Sequence, residues 1–238
     1  MSAVAVLRNP TAGRGRHKDG VTAALRALAE AGHVVKTLDA TTRDEALAAA
    51  RQAVADGIDA LVVVGGDGTV HLGLQAVAGT SVGLGVIPTG TGNDFARSLG
   101  IPLDLAAAGR TIARALDEDR RTTVDLARIT SGATEPAGPV VPGGSSWWFG
   151  AVLAAGFDAL VNERANAMRW PKGRRRYDVA VLAELAALDP RHYRITLDDA
   201  VLEQPACLVA VGNTPSYGGG LRMCPDAQPT DGLLDVIV

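Results

Sequence analysis

Ala60-Leu61-Val62-Val63-Val64-Gly65-Gly66-Asp67-Gly68-Thr69 is the stretch on which the reading of this chain turns. A continuous, β-branched apolar run is what a strand covered on both faces requires, and such strands belong to parallel sheets closed by helices. The glycines that follow turn the chain tightly and let its backbone approach a ligand. Their N–H groups, with the first turn of the next helix, make an anion site. Asp67 has no proton to offer a phosphate, so its expected partners are Mg²⁺ or ordered water. A plain strand-to-helix turn has no need of Gly-Gly-Asp-Gly.

Toward the N-terminus the same alternation continues. Ala3 to Leu7 reads as a buried strand, and residues 17–31 as a helix closed by Gly32. Val34 to Leu38 is a second strand. Thr42-Arg43-Asp44-Glu45 opens a second helix, with its acidic residues where the helix dipole favours them. Leu84 to Ile87 is a fourth strand. Strands separated by helices of this length form βαβ units and a parallel sheet. Ligands of such sheets bind at the carboxyl ends of the strands. Two further loops fall there: Asn9-Pro10-Thr11-Ala12-Gly13-Arg14-Gly15 and Pro88-Thr89-Gly90-Thr91-Gly92-Asn93-Asp94. Asn93 or Asp94 is also a candidate helix cap. Lys18 stands where a dinucleotide fingerprint needs its third glycine, and no Gly-Lys-Ser/Thr is present. Neither that fingerprint nor a Walker A loop fits.

Beyond residue 122 the pattern changes. Residues 124–130, 147–154, 192–197, 206–211 and 233–238 read as strands, and residues 177–188 as a helix. Residues 131–146, rich in Gly, Pro, Ser and Ala, read as a loop. The expected organisation is an α/β domain over 1–122 and a β-rich domain over 123–238. The chain stops inside an apolar run, Leu233-Leu234-Asp235-Val236-Ile237-Val238, so a truncated, incomplete second domain is expected.

Hydrophobic residues make up 47% of the 238, enough for a real core, and the formal net charge of −3 gives no global field toward nucleic acid. Cys207 and Cys224 form neither a disulfide framework nor a zinc spacing and read as free thiols. With no leader pattern and no apolar run long enough to span a bilayer, the expected place of work is the cytoplasm, peripheral to the membrane if the substrate is a lipid.

Asn9-Pro10, Gly65-Gly66-Asp67-Gly68-Thr69 and Pro88-x-Gly90-Thr91-Gly92-Asn93-Asp94 together resemble the diacylglycerol kinase catalytic domain family, which includes bacterial soluble lipid kinases. Gly156-Phe157-Asp158-Ala159, Gly212-Asn213, Tyr217-Gly218-Gly219-Gly220, Pro225-x-Ala227 and Asp231-Gly232-Leu233-Leu234-Asp235 extend the match, in order, over nearly the whole chain. The resemblance implies a Rossmann-like nucleotide domain, a β-sandwich-like second domain and a site in the cleft between them. It implies ATP contacts at Asn9, Gly13, Gly65, Gly66, Asp67, Gly68, Thr69 and Thr91, with another at Thr41 or Thr42. It implies a water-and-Mg²⁺ network around Asp67, Asp94 and Asp125, and a structural metal held by Asp231 with the carbonyls of Gln228 and Leu233. One carboxylate plus carbonyls and waters suits Mg²⁺. Two departures stand out. Leu72 occupies a position where many members carry Glu, and the family's catalytic carboxylate aligns beyond Val238, so no general base is named.

The expected activity is transfer of phosphate from ATP to a lipid hydroxyl, diacylglycerol first among the acceptors, with a sphingoid base and phosphatidylglycerol open. A NAD kinase shares the Gly65–Thr69 loop, and a nucleotide-binding protein without turnover is a rival of another class. His71 either touches phosphate or is an ordinary helix residue. His17, His33 and His192 form no cluster. The run from Arg169 to Arg176 is the one basic patch; Lys172, Arg174, Arg175 and Arg176 either press on anionic lipid or form a solvated loop. Trp147, Trp148 and Phe149 read as core, or as a lipid-facing wall. A homodimer stays open.

Overall fold

The computed structural model describes residues 1–8, 17–130, 146–168, 170 and 174–238. Strand β3 (Ala60–Gly65) is buried at every position. Beside it lie β1 (Ala3–Arg8) and β4 (Gly83–Pro88), with β2 (Val34–Leu38) outside β1, giving a parallel sheet of order β2-β1-β3-β4. The register sets Leu7 beside Leu38 and Val63, and Gly65 beside Pro88, so all four carboxyl ends share one edge.

The two faces follow the strand period of two. Val4, Val6, Val62 and Ile87 pack against α1 (Lys18–Glu30) and α5 (Leu105–Asp117). Ala5, Leu7, Leu61 and Val63 pack against α2 (Arg43–Ala55) and α3 (Asp67–Val77). Burying each such Val or Leu is worth roughly 1.5–3 kcal/mol, which is why the apolar run has no polar interruption. The strand order reverses between β1 and β3, and that switch point puts the ends of these two strands at a crevice.

After the short α4 (Asp94–Ser98) and α5, antiparallel pairs take over. They are β5 (Ala127–Thr130) with β6 (Ser146–Phe149), β8 (Arg191–Leu197) with β9 (Ala200–Ala206), and β11 (Ser216–Tyr217) with β12 (Leu221–Arg222). A three-stranded sheet joins β13 (Asp235–Ile237), β10 (Leu208–Gly212) and β7 (Val152–Gly156). Helices α6 (Phe157–Ala167) and α7 (Arg174–Ala186) pack together. The α/β sheet followed by a β-rich part is therefore as expected.

Several details differ from the sequence reading. The strand expected over 147–154 is two strands, because Gly150 is buried where a Cβ would lie 2.9 Å from Leu126 and 3.0 Å from Phe95. Asn213 takes over the backbone there, donating from its side chain to Gly150 O (3.1 Å) and from its amide to Ala151 O (2.8 Å). The strand expected from residue 124 begins at Ala127, since the Asp125 amide donates to Pro229 O instead. Helix α6 and strand β9 were not anticipated. In α6 only Val161 and Ala165 are buried, too thin a stripe to read. Pro205 obscured β9, but in a two-stranded ladder both strands are edges and proline is tolerated. Trp147 is 42% exposed, so it is not core; Trp148 and Phe149 are half-buried. Of the loop expected over residues 131–146, residues 131–145 lie outside the described residues and Ser146 begins β6.

Candidate phosphate and metal site

The loop after β3 is shaped by close contact. A Cβ on Gly65 would fall 2.0 Å from Thr69 Oγ1, and Thr69 is itself buried. Gly66 caps α3, its carbonyl accepting from Thr69 N (2.8 Å) and Val70 N (3.0 Å). The loop after β4 meets it backbone to backbone: a Cβ on Gly90 would lie 2.5 Å from Gly66 Cα. Asn93 clamps that second loop, accepting from Gly90 N (3.0 Å) and donating to Gly90 O (2.9 Å). Its own φ of 55° is one asparagine tolerates better than most residues. Gly68 and Thr91 are exposed beside this joint.

Two carboxylates converge here. A Cβ on Gly92 would lie 3.1 Å from Oδ2 of both Asp67 and Asp94. Asp67 Oδ1 accepts from Phe95 N (3.2 Å). Asp94 is only 5% exposed; its Oδ2 accepts from Gly219 N at 2.7 Å, and its Oδ1 has no hydrogen-bond partner among the described residues. A buried carboxylate oxygen left without a donor is costly unless something completes it. Paired carboxylate oxygens are a hard donor set, so the residues present fit Mg²⁺.

Asp125 Oδ2 accepts from Gly232 N (2.7 Å), and Asn213 donates to the Asp125 carbonyl (2.8 Å), which ties Asp125 to the Asp231 turn. In that turn Asp231 Oδ1 accepts from Leu233 N (3.0 Å), and Asp231, Gln228 and Leu233 are all exposed. Among the described residues no three His, Cys, Asp or Glu side chains gather as metal ligands. A site of one carboxylate plus carbonyls does not depend on such a trio. Thr41 and Thr42 are both engaged with Glu45. Thr41 Oγ1 donates to Glu45 Oε2 (2.7 Å), whereas Thr42 Oγ1 accepts from Glu45 N (3.2 Å) as the cap of α2. Asn9 and Gly13 lie outside the described residues.

Residues 3–129 match the diacylglycerol kinase catalytic domain, and residues 151–238 match the YegS C-terminal NAD kinase beta sandwich-like domain. The chain belongs to the diacylglycerol kinase catalytic domain family. A protein of Mycobacterium tuberculosis named diacylglycerol kinase is 42% identical over 234 residues, 98% of this chain and 72% of that protein. A probable lipid kinase YegS-like of Stenotrophomonas maltophilia is 31% identical over 198 residues, 79% of this chain and 58% of its own length. Among solved structures, a putative diacylglycerol kinase from Bacillus anthracis superposes with a TM-score of 0.70 at 25% identity, covering 99% of this chain and 73% of that one.

Within this lipid kinase family the chain's departures now have a physical setting. Leu72, in place of the usual Glu, packs against the α2–α3 core. Burial, and then the Arg43 charge, hold His71 below the usual histidine range. In the basic run Arg175 is exposed, while Arg176 is half-buried and donates to Met168 O (3.3 Å). Lys172 and the Arg174 side chain lie outside the described residues. Sequence reasoning assigned no part to Gln75, whose side-chain amide pairs with both backbone groups of Trp148, at 2.7 and 2.9 Å, fixing α3 to β6. Nor did it assign one to Gly219. Among the described residues no helix is long and apolar enough to cross a membrane.

Proposed function

We propose that the chain binds ATP with Mg²⁺ at the Gly65–Thr69 and Pro88–Asp94 loops and transfers the γ-phosphoryl group to a lipid hydroxyl, with diacylglycerol as acceptor. The observation that carries this reading is the convergence of Asp67 and Asp94 on Gly92, beside two loops joined at Gly66 and Gly90. Backbone N–H groups at the start of α3 would receive phosphate oxygens. Asp67 and Asp94 would hold the metal, which supplies charge neutralisation on the phosphate oxygens. Gly65, Gly66, Gly68 and Thr91, with Asn9 and Gly13, would frame the nucleotide. Thr69 would act by packing under Gly65, and Thr41 or Thr42 would donate to the nucleotide. Asp125 would act at one remove, by holding the turn in which Asp231 and the carbonyls of Gln228 and Leu233 form a structural metal site. The lipid hydroxyl oxygen forms the new bond to the γ-phosphorus as the bond to the β-phosphate oxygen breaks and ADP leaves, the hydroxyl proton passing to water or to a phosphate oxygen. In such reactions catalysis is mostly positioning and charge stabilisation.

The acceptor is reached at a membrane surface, and we place the contact at the start of α7. There Arg175 is exposed, five residues after Trp170, which is 82% exposed, and Leu182 and Leu185 are exposed further along the helix. A cation near anionic lipid is worth about 1 kcal/mol. Boundaries at 1–122 and 123–238 remain the proposed division between the nucleotide and lipid parts.

The test is transfer of label from γ-labelled ATP to a panel of diacylglycerol, phosphatidylglycerol, sphingosine and NAD⁺, with and without Mg²⁺. Labelled phosphatidic acid that requires Mg²⁺ is expected. Label on NAD⁺ alone would make this a NAD kinase, and ATP binding without any product would make it a binding protein.

A further inference from the structure

The Gly219 amide that holds Asp94 comes from a loop with little to hold it in turn. Gly218, Gly219 and Gly220 have φ values of 63°, 91° and 106°, and a Cβ on any of them would meet nothing within 4 Å. Three successive glycines in open space form a segment with a large entropy to lose on ordering. The loop nonetheless delivers one N–H to a 2.7 Å hydrogen bond 125 residues away in sequence. Its base is closed by the β11–β12 pair and by Met223 N and Cys224 N donating to Pro215 O (3.0 and 3.2 Å), and a side chain must then fix where that hairpin sits. The flanking pair is Tyr217 and Leu221, which face each other across β11 and β12. Leu221 is 58% exposed and cannot serve. The Tyr217 hydroxyl donates to Asp158 Oδ2, in the first turn of α6. Strand β11 also packs against α4, the helix that begins with Asp94.

We propose that Tyr217, tied to Asp158, is a positioning residue that fixes the Gly218–Gly220 turn so that Gly219 N holds Asp94 Oδ2 and leaves Oδ1 as the oxygen offered to the ligand. The role of Asp94 rests on the function proposed above; the tie between Tyr217 and the turn does not. Burial, and then the Asp158 hydrogen bond and charge, push the Tyr217 phenol above its usual range, which keeps its hydroxyl a donor. A rigid helix, one phenol and one amide thus carry the position of α6 to a carboxylate of the nucleotide site. In the catalytic step the effect falls on geometry. A misplacement of about 1 Å can cost up to ~10²-fold in rate.

The experiment combines hydrogen exchange at residues 217–222 with steady-state kinetics, in the full chain, on Tyr217→Phe, Asp158→Ala, Asp158→Asn and Asp94→Ala. Tyr217→Phe and Asp158→Ala should each speed exchange at Gly219 at least tenfold. Both should lower kcat about tenfold with diacylglycerol in detergent micelles and change KM for ATP less than threefold. Asp158→Asn, which still accepts the phenol proton, should recover most of both. The double variant should be no worse than either single one, as expected for two residues acting through one contact. Unchanged exchange in Tyr217→Phe would overturn the tie itself. Fast exchange with unchanged kcat, where Asp94→Ala is inactive, would overturn the positioning role. Should Tyr217→Phe fail to fold, the comparison of Asp158→Asn with Asp158→Ala decides: equal exchange and equal kcat in those two would overturn the proposal. Full turnover by Asp94→Ala would instead remove the proposed site, whatever Tyr217 does to the turn.

Discussion

Gly65, Gly66 and Gly90 on one side, and Gly218, Gly219 and Gly220 on the other, close on the same pair of carboxylates for opposite physical reasons. None of the first three has a positive φ, so their backbone angles bar no residue, but the space is taken: added Cβ atoms would meet Thr69 or the facing loop at 2.0–3.0 Å. The second three have empty space around them and angles that L residues avoid. The first loop is therefore held by packing and the second by backbone conformation. A glycine needed for space and one needed for φ look identical in a sequence. They should respond differently to substitution.

The largest effect is expected at the packed joint. Gly90→Ala puts a methyl 2.5 Å from Gly66 Cα, a backbone atom that cannot swing aside. Overpacking of this kind costs about 1–3 kcal/mol, sometimes more, and parting the two loops should lower kcat by on the order of 10²-fold. A urea melt and the transfer assay read the two effects. A variant of parental stability and rate would show that the loops do not meet as described. Gly90→Asn should be no better than Gly90→Ala, because the obstacle is volume.

A smaller loss, with the opposite substitution order, is expected at Gly218, where φ is 63°. Gly218→Ala should cost about 1–2 kcal/mol in a urea melt, and Gly218→Asn clearly less, since asparagine visits this region readily. Equal losses for Ala and Asn would mean that space, not angle, selects glycine there too.

The loop at the end of β2 sharpens the contrast, because it is held by neither device. Thr41 and Thr42 fold it onto the Glu45 carboxylate, and those hydrogen bonds hold the Glu45 pKa below its usual value. A carboxylate depressed in the folded state stabilises above its unfolded pKa, and that contribution fades as pH falls through the lowered one. Glu45→Gln should therefore narrow its deficit against the parent as melts move from pH 7 toward pH 3. A deficit that stays constant over that range would assign the loop's stability to something other than this charge.

How much of this was legible follows the same division. Strands β1, β3 and β4 are short apolar runs, and burial on both faces leaves that mark in sequence directly; the edge strand β2, with Lys36 and Thr37, is mostly exposed. The glycines and Asp67 and Asp94 were legible as a cluster at the strand ends. Their different reasons were not, because φ and free volume are properties of the fold. Strand β9 and helix α6 were missed where burial is slight: most of β9 is exposed. Asp125 was grouped with Asp67 and Asp94 by resemblance; the bond from its carboxylate to Gly232 N had no mark in the sequence. The link from Asp158 to Tyr217 spans 59 residues between two short motifs, and no local pattern encodes that pairing.

The most direct test of the account is Asp67→Ala, measured for Mg²⁺-dependent transfer of phosphate from ATP to diacylglycerol alongside its urea melt. Asp67 is exposed at the end of a buried strand, and among the described residues its side chain makes one hydrogen bond, from Phe95 N. The account predicts a melt within about 1 kcal/mol of the parent. Transfer should fall by at least ~10²-fold, the scale on which a single preorganised electrostatic contact is lost. A folded variant that transfers phosphate at the parental rate would contradict the assignment of Asp67 and Asp94 as the centre of the site.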